Sequence, residues 1–306
     1  MLPPARRYSC AVASAARDEP VWATASQVTA WLLVEVRGPW GRDAIADSEL
    51  GPHAPRVWRE AMRRQGVRVV AIRRDLTRQH RGVRLVHVVA PRPGVVAPSC
   101  RHLEVDDLHD VVAATAPLTT RHPLGPAWTE DADRYVLVCT NGRHDACCAT
   151  FGRPLVRALR ESRWSDQVWE CSHIGGDRFA GNLVILPDSL YFGRRDPAAA
   201  ARLLAAHADG QLELQGFRGR TTFRLAEQAA EHFVRVERGL PALDAVRGID
   251  PIDDTTMEVA VIERGAPVRY RVTVERTTVP ARTPLTCTGK LGLSYAAFRL
   301  VDLSVT

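Results

Sequence analysis

Two hydrophobic periods alternate along this chain. Trp31-Leu-Leu-Val-Glu35 and Tyr135-Val-Leu-Val-Cys139 are continuous apolar runs of the kind buried on both faces of a sheet. Each is followed by a similar turn, Gly41-Arg42-Asp43-Ala44 in the first case and Gly142-Arg143-His144-Asp145-Ala146 in the second, which makes them an internal repeat. Farther on, Arg84-Leu-Val-His-Val-Val-Ala-Pro91 and Asn182-Leu-Val-Ile-Leu-Pro187 each open a strand, proline turn, strand pattern. Helical spacing lies between these markers. Pro55 to Gln65 puts Val57, Trp58, Ala61 and Met62 near one face, and Pro154 to Ser162 is its counterpart. Strand, helix, strand, hairpin, read twice, predicts two tandem thioredoxin-like halves.

Past Arg195 the pattern changes. An alanine-rich helix is expected over Pro197 to His207, and a second over Leu225 to Arg238 with Ala226, Ala229, Ala230 and Phe233 facing inward. Met257 to Glu263 and Pro267 to Val279 alternate with period two around Arg264-Gly-Ala, which predicts a hairpin. The expected class is α/β (α+β), with two thioredoxin-like halves and a small C-terminal helix-and-hairpin module. The divisions fall at residues 1–125 (a degenerate half), 126–200 (the half with the Cys/His motif) and 201–306.

At 306 residues, 45% hydrophobic and 25% charged, the chain has an ordinary globular balance. Its net charge of +6 comes from arginine, since Lys290 is the only lysine. The arginines are scattered and not interleaved with aromatics, so no nucleic-acid partner is expected; a positive surface suits an acidic redox partner or an anionic substrate. The opening Met1 to Cys10 lacks the apolar core of a signal peptide, and no uncharged apolar run reaches membrane-spanning length. These features predict a soluble cytoplasmic protein with no membrane partner. In a reducing compartment, seven cysteines argue for metal binding, catalysis or buried thiols rather than a disulfide framework.

Four of those cysteines are concentrated in one stretch, at Cys139, Cys147, Cys148 and Cys171, together with His173 and Asp177. Thiolates and imidazoles are the donors for soft and borderline metals. Cys139 ends an apolar run and so is expected at a strand tip, where open sheets bind ligands. Side chains of adjacent residues diverge, so one of Cys147 and Cys148 is a ligand and the other packs or supports. Cys171 and His173, two apart on an extended segment, project to the same side, and either can be a ligand. The first repeat has Glu35 in place of Cys139 and no cysteine pair, so the metal belongs to the second. Arg178 either offsets an anionic site or pairs with Asp145, and Asn182 caps the turn before the next strand. Cys10, Cys100 and Cys287 have no ligand partners nearby in sequence and read as buried or partly exposed thiols, Cys287 in a loop context that favours reactivity.

Cys139-Thr-x-Gly-x-x-Asp-x-x-Cys148, followed by Ser172-His173-Ile-Gly-Gly-x-Arg-Phe-Ala-x-Asn-Leu-Val-Ile-Leu-Pro187, resembles the sucrase/ferredoxin-like family. Cys10-Ala-Val-Ala-Ser and Gly38-Pro-Trp-Gly-Arg-Asp-Ala44 resemble its bacterial members. The resemblance implies a thioredoxin-like ferredoxin with a 2Fe-2S cluster on two cysteines and two histidines. Carried over, Cys139 and Cys148 match the cysteines and His173 the first histidine, while Asp177 stands at the second. Either Asp177 or Cys171 then completes the set, or the cluster is lost; Cys147 and Arg178 are supporting residues.

Electron transfer is therefore the expected function. No Gly-x-Gly-x-x-Gly and no phosphate loop is present, so electrons would come from a partner such as a flavoprotein reductase. A thiol-based redox enzyme is the alternative, although no Cys-x-x-Cys occurs. A zinc-binding or cluster-free structural protein is third. No pair of carboxylates is marked for glycoside hydrolysis.

Overall fold

A computed structural model of the chain describes residues 8–74 and 82–306, so residues 1–7 of the segment read for a leader lie outside the described residues. The first repeat contains β1 (Ala30–Glu35), α2 (Arg56–Arg64), β2 (Val67–Arg73), β3 (Val83–Val89) and β4 (Ser99–Val105), preceded by helix α1 (Cys10–Ala16). Short helices α3 (Val111–Ala114) and α4 (Ala116–Thr120) and strand β5 (Thr129–Glu130) lead to the second repeat. That repeat contains β6 (Tyr135–Cys139), α5 (Ala146–Arg160), β7 (Val168–Cys171), β8 (Leu183–Leu186) and β9 (Leu190–Phe192).

The pairing is the same in both. β1 lies parallel to β2 and antiparallel to β3, which pairs antiparallel with β4. β6 lies parallel to β7 and antiparallel to β8, which pairs antiparallel with β9. The repeats join through the equivalent strands β2 and β7, antiparallel, with Ile72 opposite Cys171 and Arg73 opposite Glu170. With β10 (Phe217–Arg220), which follows α6 (Pro197–Ala208), at one edge, a single ten-stranded sheet results, in the order β10-β9-β8-β6-β7-β2-β1-β3-β4-β5. Antiparallel pairing of equivalent strands gives the halves a local two-fold relation and sets the two repeated turns on the same side of the junction.

Period-two alternation divides each central strand between two layers. On β1, Leu32 and Val34 pack with Trp58 and Met62 of α2, and on β6, Val136 and Val138 pack with Leu155 and Leu159 of α5. The other face carries Trp31, Leu33, Tyr135, Leu137, Cys139, Trp169 and Cys171 in one core that runs across the junction. Helix α7 (Leu225–Arg238) lays Ala229, Ala230 and Val234 on a second sheet of four antiparallel strands, β11 (Val246–Pro251), β12 (Thr256–Glu263), β13 (Ala266–Pro280) and β14 (Ser294–Val305).

The fold is α+β, with two thioredoxin-like halves and a small C-terminal module. Three local expectations need correction. α5 starts at Ala146 and not at Pro154, because Asp145 caps it by accepting the Cys147 amide at 2.9 Å and the proline is carried inside the helix. Val57 is exposed while Trp58 and Met62 face the core. The expected hairpin is the middle of a four-stranded sheet; the outer strands β11 and β14 carry polar residues at many positions, which hid their period. Arg264 and Gly265 both have positive φ, as the tight β12–β13 turn requires.

Two histidines make the fold acid-sensitive. Burial, helped by Arg101, holds His87 down to about 4, and burial holds His232 at about 4 despite Glu231. An unfolded histidine titrates near 6.5, so the unfolded chain takes up these protons first and stability falls as pH drops from about 6.5 through 4. Between pH 7 and pH 5 each should contribute a loss of about 2 kcal/mol. Denaturant midpoints at the two pH values should differ clearly less in a His87→Gln/His232→Gln double variant than in wild type.

Candidate metal centre

The site is assembled where β6 ends. Cys139 is its last residue, and the loop after it returns to the Asp145 cap, which sets Cys147 and Cys148 in the first turn of α5. Gly152, one turn later, lets the helix lie on the strand: a Cβ there would overlap the Cys139 carbonyl oxygen. From the neighbouring strand, Ser172 and His173 leave β7 into a turn at Gly175 and Gly176, whose φ values of 96° and 80° suit glycine. A 3₁₀ turn over Asp177–Phe179 then brings the Asp177 carboxylate back under the imidazole.

Donor atoms of Cys139, Cys148 and His173 all lie within 4.8 Å of one another, and those of His144, His173 and Asp177 form a second such group. His173 belongs to both. Its Nδ1 is 3.9 Å from Cys148 Sγ and 3.0 Å from Asp177 Oδ1, while Cys148 Sγ is 3.5 Å from the same carboxylate oxygen. The His144 ring stacks on His173 with centroids 3.7 Å apart and 11° between planes, and its Nδ1 is 3.3 Å from Arg42 O.

These contacts fix the protonation pattern. Cys148 and His173 donate toward Cys139, so its thiol titrates well below the usual range despite complete burial. Cys148, holding the shared proton and buried, moves far upward. Burial would lower His173, but its hydrogen bonds to Asp177 and Cys139 raise it to about 9. Asp177, penalised by burial, is held below the carboxylate range by His173. The pocket thus stabilises a thiolate and a carboxylate around one imidazole.

Of the residues expected at the site, Cys139, Cys148, His173 and Asp177 come together. Cys171 sits opposite Cys139 in the β6–β7 register, buried in the apolar core and outside both groups; burial pushes its thiol up. Cys147 points away from Cys148, toward Cys10 and Cys287. Arg178 pairs with Glu19 rather than Asp145. Asn182 braces the glycine turn by donating to Gly176 O at 2.7 Å.

Sequence reading missed two further residues. His144 lay inside the motif, but nothing in its spacing showed that it would meet His173. Arg218, on β10, is buried and donates to Gly175 O and Asn182 Oδ1, both at 2.9 Å, locking the turn that carries His173. The first repeat supplies a wall: Arg42, Asp43 and Ala44 line a cleft of about 450 Å³ with Arg68, His144 and His173. Asp43 accepts the Ile45 and Ala46 amides at 3.0 and 3.1 Å, much as Asp145 does in the second copy.

Two thiols, one of them held as a thiolate, with an imidazole and a carboxylate or second imidazole, fit a metal or an iron-sulfur group. Among the described residues, no helix is long and apolar enough to cross a membrane. A model of the family described as sucrase/ferredoxin-like matches residues 21–219. No curated protein and no solved structure matches the chain.

Proposed function

The chain belongs to the sucrase/ferredoxin-like family, and from that premise we propose that it is a cytoplasmic electron carrier holding a 2Fe-2S cluster on Cys139, Cys148 and His173. The observation that carries this reading is the convergence of those three donors, from a strand end, a helix start and a separate loop, within 4.8 Å. When bound, the cluster supplies a one-electron couple. Cys139 and Cys148 would provide the two thiolates and His173 the imidazole; its Nδ1 faces Cys148 Sγ at 3.9 Å and Asp177 Oδ1 at 3.0 Å, so the carboxylate contact would give way if that nitrogen became the ligand. Asp177 or His144, which flank His173, is the nearer choice for the fourth donor. Cys171 lies opposite Cys139 in the β6–β7 register but outside both groups.

His173 is the part of the set that reaches the cleft, so electrons would pass there. Arg42 and Arg68 line the same cleft together with Asp43 and Asp47, and it is the chain's net charge of +6 that favours an acidic partner, such as a flavoprotein reductase. Transfer rates to such a partner should fall as ionic strength rises.

Protein purified without oxygen should be red-brown and contain about two irons and two sulfides per chain, with the charge-transfer absorption of a mixed thiolate and imidazole cluster. A colourless protein with neither iron nor sulfide, before and after reconstitution with both, defeats the reading. A second reading, thiol chemistry at Cys139, draws on its stabilised thiolate beside His173. It predicts fast alkylation of Cys139 in iron-free protein, which its 1% exposure opposes.

A further inference from the structure

We propose that Cys10, Cys147 and Cys287, together with Asp145, form a second metal site, separate from the one above, that takes a single divalent ion of the zinc type. The three cysteines come from distant parts of the chain. Cys10 begins α1, Cys147 lies in the first turn of α5, and Cys287 lies in the connection between β13 and β14, outside the region matched by the family.

Their donor atoms and that of Asp145 all lie within 4.8 Å of one another. Cys147 Sγ is 3.4 Å from Cys287 Sγ, Cys287 Sγ is 3.6 Å from Cys10 Sγ, and Cys10 Sγ is 3.6 Å from Asp145 Oδ1. A disulfide needs about 2.05 Å between sulfurs, far less than these separations. Tetrahedral zinc with bonds of about 2.3 Å sets its sulfurs about 3.8 Å apart, close to what is found. Three soft donors and one carboxylate complete four positions, the composition of a closed structural site and not of a catalytic one with an open position.

Asp145 is already fixed for the role. Its Oδ1 accepts the Cys147 amide at 2.9 Å and its Oδ2 the Cys287 amide at 2.7 Å, so the carboxylate is oriented before any ion arrives. Cys10, Cys147 and Asp145 are buried, and Cys287 closes the remaining side. Without an ion, the three thiols meet one another and the Asp145 carboxylate in a small pocket lined by Ala11 and Ala180. On binding, the thiol protons leave to solvent and the ion links α1, the start of α5 and the C-terminal sheet.

The test is metal analysis of whole protein purified under reducing, chelator-free conditions with zinc in the medium. About one zinc per chain is expected, beyond any iron. Cys287→Ser, on a partly exposed loop, should lose that zinc and keep the absorption spectrum and iron content of wild type, while Cys148→Ser should keep the zinc. Cobalt(II) added to metal-free protein should give the intense visible bands of tetrahedral sulfur ligation in Cys148→Ser, where the first site has lost a thiolate, and not in the Cys148→Ser/Cys287→Ser double variant. Zinc retained at full stoichiometry in Cys287→Ser overturns the proposal, as does a wild-type protein that takes up neither zinc nor cobalt. An intact mass showing a Cys147–Cys287 disulfide in anaerobically purified protein also overturns it. Iron and sulfide are read separately, so either site can fail without the other.

Discussion

On the proposed function, Gly152→Ala should cost the protein most of the cluster iron while keeping every candidate ligand residue. The α5 helix approaches the end of β6 so closely that a methyl group at this position would overlap the Cys139 carbonyl, with the Cys139 carbonyl carbon at 3.1 Å and Thr140 Cγ2 at 3.4 Å. Backbone cannot rotate away as a flexible side chain can, so helix and strand must separate. Overpacking of this kind costs about 1–3 kcal/mol, which a domain of this size survives. Metal ligation is less tolerant, because donor distances must hold to within about 0.2 Å. Moving Cys148 off Cys139 by several times that amount should lower iron per chain several-fold, with the far-ultraviolet circular dichroism unchanged. Gly125→Ala is the control, since a Cβ there meets nothing within 4 Å. Wild-type iron in Gly152→Ala would show that the close approach is not what sets the ligand spacing.

The second large effect lies away from the site. Glu231, in the middle of α7, is fully buried and accepts from Arg220 Nε at 2.9 Å and Arg235 Nε at 3.1 Å, so β10 of the large sheet and α7 share one carboxylate between two cations. The guanidinium groups have further partners in backbone carbonyls: Arg220 in Leu243 O, and Arg235 in Leu240 O, Ala242 O and Leu243 O. Removing the charge with Glu231→Gln keeps the shape and leaves two buried cations uncompensated. The expected loss is about 3–5 kcal/mol, read as a shift of the denaturant midpoint. Replacing all three residues by apolar ones of similar volume should cost less than the single change, because desolvation of all three charges is then avoided. A single variant as stable as wild type would mean that the carbonyls alone satisfy the arginines.

The repeat was legible because each strand and turn is a local pattern. Trp31 to Glu35 and Tyr135 to Cys139 show the same run of apolar positions, and both are central strands with the same partners. The α7 boundaries were legible as well, since the periodic run ends at Gly239, a positive-φ cap. At Pro154 the same kind of reasoning misplaced a helix start: proline favours the first turn, but the Asp145 cap and the packing of Gly152 set the start eight residues earlier. In the site, spacing marked Cys139, one of Cys147 and Cys148, Cys171 and His173, and the family resemblance singled out Cys148 and Asp177. Neither marked His144, because its stacking on His173 depends on the path of two loops from different strands.

What the sequence determined by itself is therefore everything carried by short spacing: the central strands, the duplicated order, and which copy holds the soft donors. Tertiary structure decided how distant segments meet. Pairing of β2 with β7 placed the first repeat's Arg42 and Asp43 against the cleft of the second. The phase of α5 turned Cys148 to His173 and its neighbour Cys147 to Cys10 and Cys287, which lie 135 positions or more from their partners in this group. The physical reason is that periodicity records which face of an element is buried, whereas the partner on that face is chosen by packing across the whole chain.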